Sequence, residues 1–95
     1  MEDLQHTYRQ TLKRHIQALE SARAALLAGD EGARKTIRQI AHNLKGSGGT
    51  YGFSEISSAA EALEHADKAE WLDYLDGLLD VVNGVVLEGE ARARH

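Results

Sequence analysis

The chain has no cysteine, no proline, one tryptophan, one phenylalanine and three tyrosines in 95 residues. Without cysteine there is no disulfide, no thiolate nucleophile and no cysteine-ligated zinc. Without proline the strongest helix breaker is missing. No apolar run approaches the roughly 20 residues that span a membrane. A basic excess is missing too. Eleven Lys and Arg stand against 15 Asp and Glu, a net charge of -4, which argues against general nucleic-acid binding. The opening Met1-Glu2-Asp3-Leu4 is acidic and has no signal-like apolar stretch, so cytoplasm is the expected compartment. The length suits one domain with a modest core.

What is present favours helix. There are 14 Ala and 12 Leu but only four each of Val, Ile and Thr, so good helix formers outnumber β-branched residues. Leu4, Tyr8, Leu12, Ile16, Leu19, Arg23 and Leu26 recur in steps of three and four. That spacing predicts a first helix over about 3–28, with Arg23 at the edge of its buried stripe. Gly29 is a stop signal, and Asp30 can cap a second helix over about 31–51, on which Ala33, Ile37, Ile40, Ala41, Leu44, Gly48 and Tyr51 share a face. Gly52 ends it. Ser54 is a natural N-cap for a third helix over 54–66, with Ile56, Ala59, Ala60, Leu63 and Ala66 inward. Asp67 and Glu70 resemble a capping box opening a fourth helix over 67–88. Trp71, Leu75, Leu78, Leu79, Val82, Val85 and Val86 form its apolar face. Residues 89–95 read as a polar tail. Short connections make sequential helices antiparallel neighbours, so the expected fold is all-α, an up-down-up-down four-helix bundle over 1–95.

Charge is unevenly placed on this bundle. Residues 33–51 carry Arg34, Lys35, Arg38 and Lys45 and no acid, whereas 52–88 carry nine acids against Lys68 alone. Such runs are commonly solvated faces that pair across helices; the sharper reading is an anion site on the second helix. At about 100° per residue, Ile40, Ala41, Leu44, Gly48 and Tyr51 lie within about 60° of Ile37, while His42 lies about 140° away. Lys35, Arg38, Lys45, Gly46 and Gly49 cluster within about 60° of His42, with Gln39 on the same side. Three glycines at 46, 48 and 49 cost such a helix about 2–3 kcal/mol relative to alanine. Close helix approach explains Gly48, which faces inward. Gly46 and Gly49 face outward, either as a bare surface for another backbone or, for Gly49 especially, as a fraying helix end.

A neutral imidazole is a good nucleophile near neutral pH. If it accepts a phosphoryl group, about two negative charges appear, and Lys45 and Arg38, one turn away on either side, are placed to neutralise them. The segment Ala41-His42-Asn43-Leu44-Lys45-Gly46-Ser47-Gly48-Gly49-Thr50-Tyr51-Gly52-Phe53, followed by Leu63-Glu64, resembles the phosphoacceptor motif of the histidine-containing phosphotransfer (HPt) domains. Those domains show His-x-Leu-Lys-Gly-Ser, a later glycine, and a helix ending in Leu-Glu.

The resemblance implies that His42 is the phosphoacceptor and that Lys45 meets the phosphoryl group. Arg38 belongs to the same environment, and Gln39 is a candidate hydrogen-bond partner of the ring. It also implies that Gly46, with Gly49 and Lys35 beside it, keeps the approach surface open. Ser47, Gly52, Leu63 and Glu64 then support the motif. The implied partners are receiver domains of response regulators or of hybrid histidine kinases, which carry the aspartate and the Mg²⁺ site. The chain itself is then a monomeric carrier without a cofactor, not an ATP-dependent kinase, since it has no nucleotide-binding glycine loop. The Gly48-Gly49 pair departs from the family, which more often has a better helix former there. His6, His15, His65 and His95 show no metal-ligand spacing, and Glu61 with His65 is a common i,i+4 surface pair. A second reading of the same bundle is a docking or regulatory module that is never phosphorylated.

Overall fold

The computed structural model describes residues 4–93. Four helices follow one another: α1 (Leu4–Leu27), α2 (Gly32–Thr50), α3 (Ser54–Glu64) and α4 (Trp71–Ala93), with a 3₁₀ turn at Lys68–Glu70 before the last. No strand occurs among the described residues. Each helix packs on its neighbours in the chain, and α4 closes back on α1, so the four surround one apolar core.

The periodicities account for that core. Leu12 and Leu19 of α1, Ile37 and Leu44 of α2, Ile56 and Leu63 of α3, and Leu75, Leu78 and Val82 of α4 are completely buried. Each such side chain contributes roughly 1.5–3 kcal/mol by leaving water. Arg23 sits at the edge of the α1 stripe as expected and forms a two-pronged pair with Asp76 of α4, at 2.7 and 3.1 Å. Trp71 is buried, and Tyr74 lies at the rim.

The interhelix stops follow from glycine geometry. Gly29 and Gly52 take φ of +104° and +87°, a left-handed conformation that glycine adopts without strain. Paired backbone bonds close both helix ends: Asp30 N–H donates to Ala25 and Gly29 N–H to Leu26, while Phe53 N–H donates to Gly48 and Gly52 N–H to Gly49. This is the Schellman arrangement. Glu31, not Asp30, holds the cap position of α2 and makes no side-chain cap bond; the Asp30 carboxylate, one residue earlier, accepts the Gly32 N–H at 3.0 Å.

Other expectations need correction. Ser54 is the first residue inside α3, not its cap; Phe53 holds the cap position with no side-chain bond. Packing explains this, because Phe53 is buried and its carbonyl already accepts the Ile56 and Ser57 amides. The helix ends at Glu64 rather than Ala66. Asp67 makes no capping box. Its backbone carbonyl, not its carboxylate, receives the Glu70 N–H at 2.9 Å, and this closes the 3₁₀ turn. The helix α4 continues through Gly89 to Ala93, where the sequence suggested a tail. Contacts with α1 hold this last stretch: the Arg9 side chain lies against Gly89, and Lys13 pairs with Glu90 at 2.9 Å. Asp3, at the expected start of the first helix, and Arg94 and His95, at the end of the expected tail, lie outside the described residues.

Three further side chains depart from the places the sequence suggests. Leu4, at the first residue of α1, is exposed. Tyr51 is not core but 36% exposed, because α2 ends beside it and its ring stacks flat on Tyr8, with centroids 4.5 Å apart. Arg9, which no periodicity marks as inward, is buried. Its Nε donates to the Val85 carbonyl at 3.2 Å, and its guanidinium lies 5.2 Å from the Phe53 ring centre. A backbone acceptor and an aromatic face together offset much of the cost of burying that cation.

Candidate functional site

The middle of α2 presents its polar face beside α3. His42 lies on that face with 80% of its side chain exposed, while its neighbours Ala41 and Leu44 are wholly buried. The helix is therefore anchored directly beneath the imidazole. Close approach of α2 and α3 brings the facing side chains into reach. A Cβ at Gly48 would stand only 3.1 Å from Ile56 Cβ, Ile56 Cγ2 and the Ser57 backbone nitrogen, so the backbone of α3 occupies the space that any larger residue needs. Ser57 secures the same crossing by donating its hydroxyl to the Lys45 carbonyl at 2.7 Å.

That crossing carries Glu64 to the imidazole. His42 Nδ1 and Glu64 Oε1 lie 3.1 Å apart. With the carboxylate ionised, the ring donates from Nδ1, which leaves Nε2 with its lone pair on the solvent side. Glu64 is only 20% exposed, and the preceding Leu63 is fully buried, so the acceptor sits on a fixed element. The sequence placed Glu64 in the motif without a contact. The hydrogen-bond partner of the ring is this residue; Gln39, the residue suggested for that role, is exposed.

Lys45, one turn after His42, points its ammonium between two carboxylates of α3. Nζ is 3.8 Å from Glu64 Oε2 and 3.9 Å from Glu61 Oε1. These are long, partly solvated pairs, of a kind worth at most about 1 kcal/mol, so the ammonium is free to re-pair with a stronger anion. Arg38 and Lys35 are exposed on the same helix. The fourth cation of α2, Arg34, is diverted elsewhere: its guanidinium lies 4.5 Å from the Trp71 ring centre and 3.3 Å from Glu31.

The small residues divide by role. Gly46 is exposed, and a Cβ there would meet nothing within 4 Å. Gly49 is exposed with only Ser57 Oγ near, at 3.9 Å. Gly49 lies in the last turn of α2, which ends at Thr50. Ser47 faces the other way and shares a 2.7 Å hydrogen bond with the Tyr8 hydroxyl, which ties α2 to α1. Burial of that phenol raises the Tyr8 pKa above its ordinary 10.0. Gly52 turns the chain beneath Gln5, whose amide donates to the Tyr51 carbonyl at 3.1 Å.

The sequence-derived site thus separates into two groups. His42, Lys45 and Glu64 meet in space, with Gly46 and Gly49 open beside them, while Ser47 and Gly52 serve the α1–α2 junction. Glu61 and Ser57 were not singled out for the site. Their only sequence signal is the i,i+3 and i,i+7 spacing from Glu64 on one helix face. No group of three or more His, Asp or Glu side chains is arranged to hold a metal among the described residues, and no described helix is long and apolar enough to cross a membrane. The family model described as Hpt domain matches residues 3–86. No curated protein and no solved structure matches the chain.

Proposed function

This chain belongs to the Hpt domain family, a family of histidine phosphotransfer in two-component phosphorelays, and on that premise we propose that it carries a phosphoryl group on His42, exchanging it with the aspartate of a receiver domain. The observation that carries this reading is the exposed imidazole whose Nδ1 is engaged by Glu64 at 3.1 Å, which leaves Nε2 as the nucleophile.

In the forward step the Nε2 lone pair attacks the phosphorus of the receiver's phosphoaspartate. A P–N bond forms, the P–O bond breaks, and the aspartate departs as a carboxylate. The proton on Nδ1 stays where it is. Both reacting atoms are positioned by their own proteins, so the chain contributes alignment and charge rather than acid–base chemistry. Lys45 leaves its long contacts with Glu61 and Glu64 for the phosphoryl oxygens, where a charge-assisted bond to a dianion is stronger. Arg38 adds positive potential from the preceding turn. Gly46, Gly49 and Lys35 form the surface over which the receiver approaches, and the open space at Gly46 supports that role.

The receiver, free-standing or part of a hybrid histidine kinase, brings the Mg²⁺ ion and most of the catalytic groups. The carrier acts as a cytoplasmic monomer, without ATP-dependent activity of its own. Its helices form an up-down-up-down antiparallel bundle. The pairings Tyr8 with Ser47, Arg9 with Val85, Arg23 with Asp76 and His42 with Glu64 support that topology.

The test is phosphoryl transfer from a panel of phosphorylated receiver domains, with His42→Gln in parallel. Acid-labile, alkali-stable label on the wild type and none on the variant is the expected result. Label of equal strength on both would refute the assignment of His42. A folded wild type that takes label from no receiver would favour a docking module instead.

A further inference from the structure

We infer that Glu64 governs how the phosphoryl group leaves His42, as a positioning residue acting through the imidazole; this rests on the phosphocarrier reading above. Its carboxylate lies 3.1 Å from Nδ1, on the opposite side of the ring from the nitrogen that takes the phosphorus. The position is built into the fold. The Ser57 hydroxyl bond to the Lys45 carbonyl and the tight Gly48–Ile56 crossing hold α3 against α2, whatever Nε2 carries.

When neutral imidazole forms the P–N bond, the product ring retains the Nδ1 proton and gains a formal positive charge. An adjacent carboxylate stabilises that protonated ring. On departure the P–N bond breaks and its electron pair returns to Nε2. The phosphoryl group passes to a receiver carboxylate, or to water as inorganic phosphate with release of the water's proton. The ring leaves as neutral imidazole, with its Nδ1 proton still bonded to Glu64. Loss of that proton before cleavage would make the leaving group an imidazolate, a far stronger base that departs much more slowly. Glu64 thus keeps the stored group ready for transfer in conditions where an unassisted phosphohistidine loses the Nδ1 proton.

The charged groups around the ring are Arg38 and Lys45 on α2 and Glu61 and Glu64 on α3. The helix α1 meets α2 through Ser47 and Tyr51, on the other side of that helix. Lys45 and Arg38 favour the phosphoryl oxygens, and Glu61 reaches Lys45. Glu64 alone among the described carboxylates is within hydrogen-bond distance of the imidazole.

The experiment loads wild type, Glu64→Gln and Glu64→Ala with phosphoramidate, so that no receiver is needed, and follows phosphohistidine decay by ³¹P NMR from mild acid to mild alkali. The expected wild-type rate changes little across that range. Glu64→Ala matches it in mild acid, where the ring is protonated without help, and decays about tenfold more slowly in mild alkali, a modest part of what proton placement contributes to catalysis. Glu64→Gln, which can accept the Nδ1 hydrogen but carries no charge, falls between them. In mild alkali, ¹⁵N spectra of the phosphorylated wild type retain the Nδ1–H signal, and those of Glu64→Ala lose it. Superimposable pH profiles for wild type and Glu64→Ala, with label present on His42, overturn the inference. Absence of label on the wild type, or undiminished label on His42→Gln, overturns the phosphocarrier reading and the inference with it.

Discussion

Two glycines two residues apart should respond to the same substitution with opposite signs. Alanine at an interior helical position is about 1 kcal/mol more favourable than glycine. At Gly46 a new Cβ meets nothing within 4 Å, so Gly46→Ala should stabilise the fold by about that 1 kcal/mol. At Gly48 the same methyl meets Ile56 Cβ, Ile56 Cγ2 and the Ser57 nitrogen, each at 3.1 Å. Ile56 is fully buried and cannot swing aside, and the Ser57 nitrogen is backbone, held by its bond to the Phe53 carbonyl at 3.3 Å. Overpacking of this kind costs about 1–3 kcal/mol, which cancels or outweighs the helical gain. Gly48→Ala should therefore leave stability unchanged or lower it by up to about 2 kcal/mol. The two variants should differ in melting temperature by roughly 5–15 °C in a domain of this size. Thermal and urea unfolding followed by circular dichroism give both numbers. Equal stabilisation by the two alanines would refute the claim that α2 and α3 touch at Gly48. The pair also bears on function. A stabilised Gly46→Ala that takes phosphoryl from a receiver more slowly than the wild type would mark the glycine as retained for room at the surface rather than for the fold.

The remaining predictions concern the site and the α1–α2 junction. Lys45→Ala should slow phosphotransfer at least tenfold, an effect of about 1.4 kcal/mol on the barrier, with the melting temperature nearly unchanged; an unaltered transfer rate would remove the lysine from the reaction. Gly46→Trp should leave the circular dichroism spectrum intact but weaken receiver binding in titration calorimetry, and wild-type affinity would contradict the approach surface. Tyr8→Phe removes the 2.7 Å bond to Ser47 and should cost about 1 kcal/mol in urea unfolding. Burial raises the Tyr8 pKa above 10.0, so the unfolded phenol ionises first; that contribution to stability is complete below pH 10.0 and is lost as pH climbs through the folded value. Burial lowers the His15 pKa below 6.5, so stability should fall as pH drops beneath 6.5 toward the folded value; a His15→Gln variant with the same pH slope there would refute this.

Much of the helical layout was determined by the sequence alone. A 3.6-residue period assigns each side chain an angle around its own helix. That was enough to turn Leu44 and Gly48 inward and His42 outward, and to seat Arg23 at a stripe edge. Gly29 and Gly52 announced their helix ends because the left-handed turn they make is strained for other residues. The motif around His42 was legible for the same local reason: residues 42–47 are contiguous on one helix, and only its later glycine and Leu63-Glu64 lie beyond it.

Tertiary structure decided what periodicity cannot encode. An angle around one helix does not state which helix lies opposite, nor how far along its axis. The axial register of α3 on α2, set where Ile56 fills the space beside Gly48, brings Glu64 to His42 and Glu61 to Lys45. The contacts of α1 likewise bury Arg9 against Phe53 and Val85, turn Ser47 toward Tyr8, and carry α4 past Gly89 into what looked like a tail. Each of these depends on residues 8 to 80 positions away in the chain. Their meeting is a property of the packed core, because only close packing of the four helices fixes the relative height of side chains that local sequence leaves unrelated.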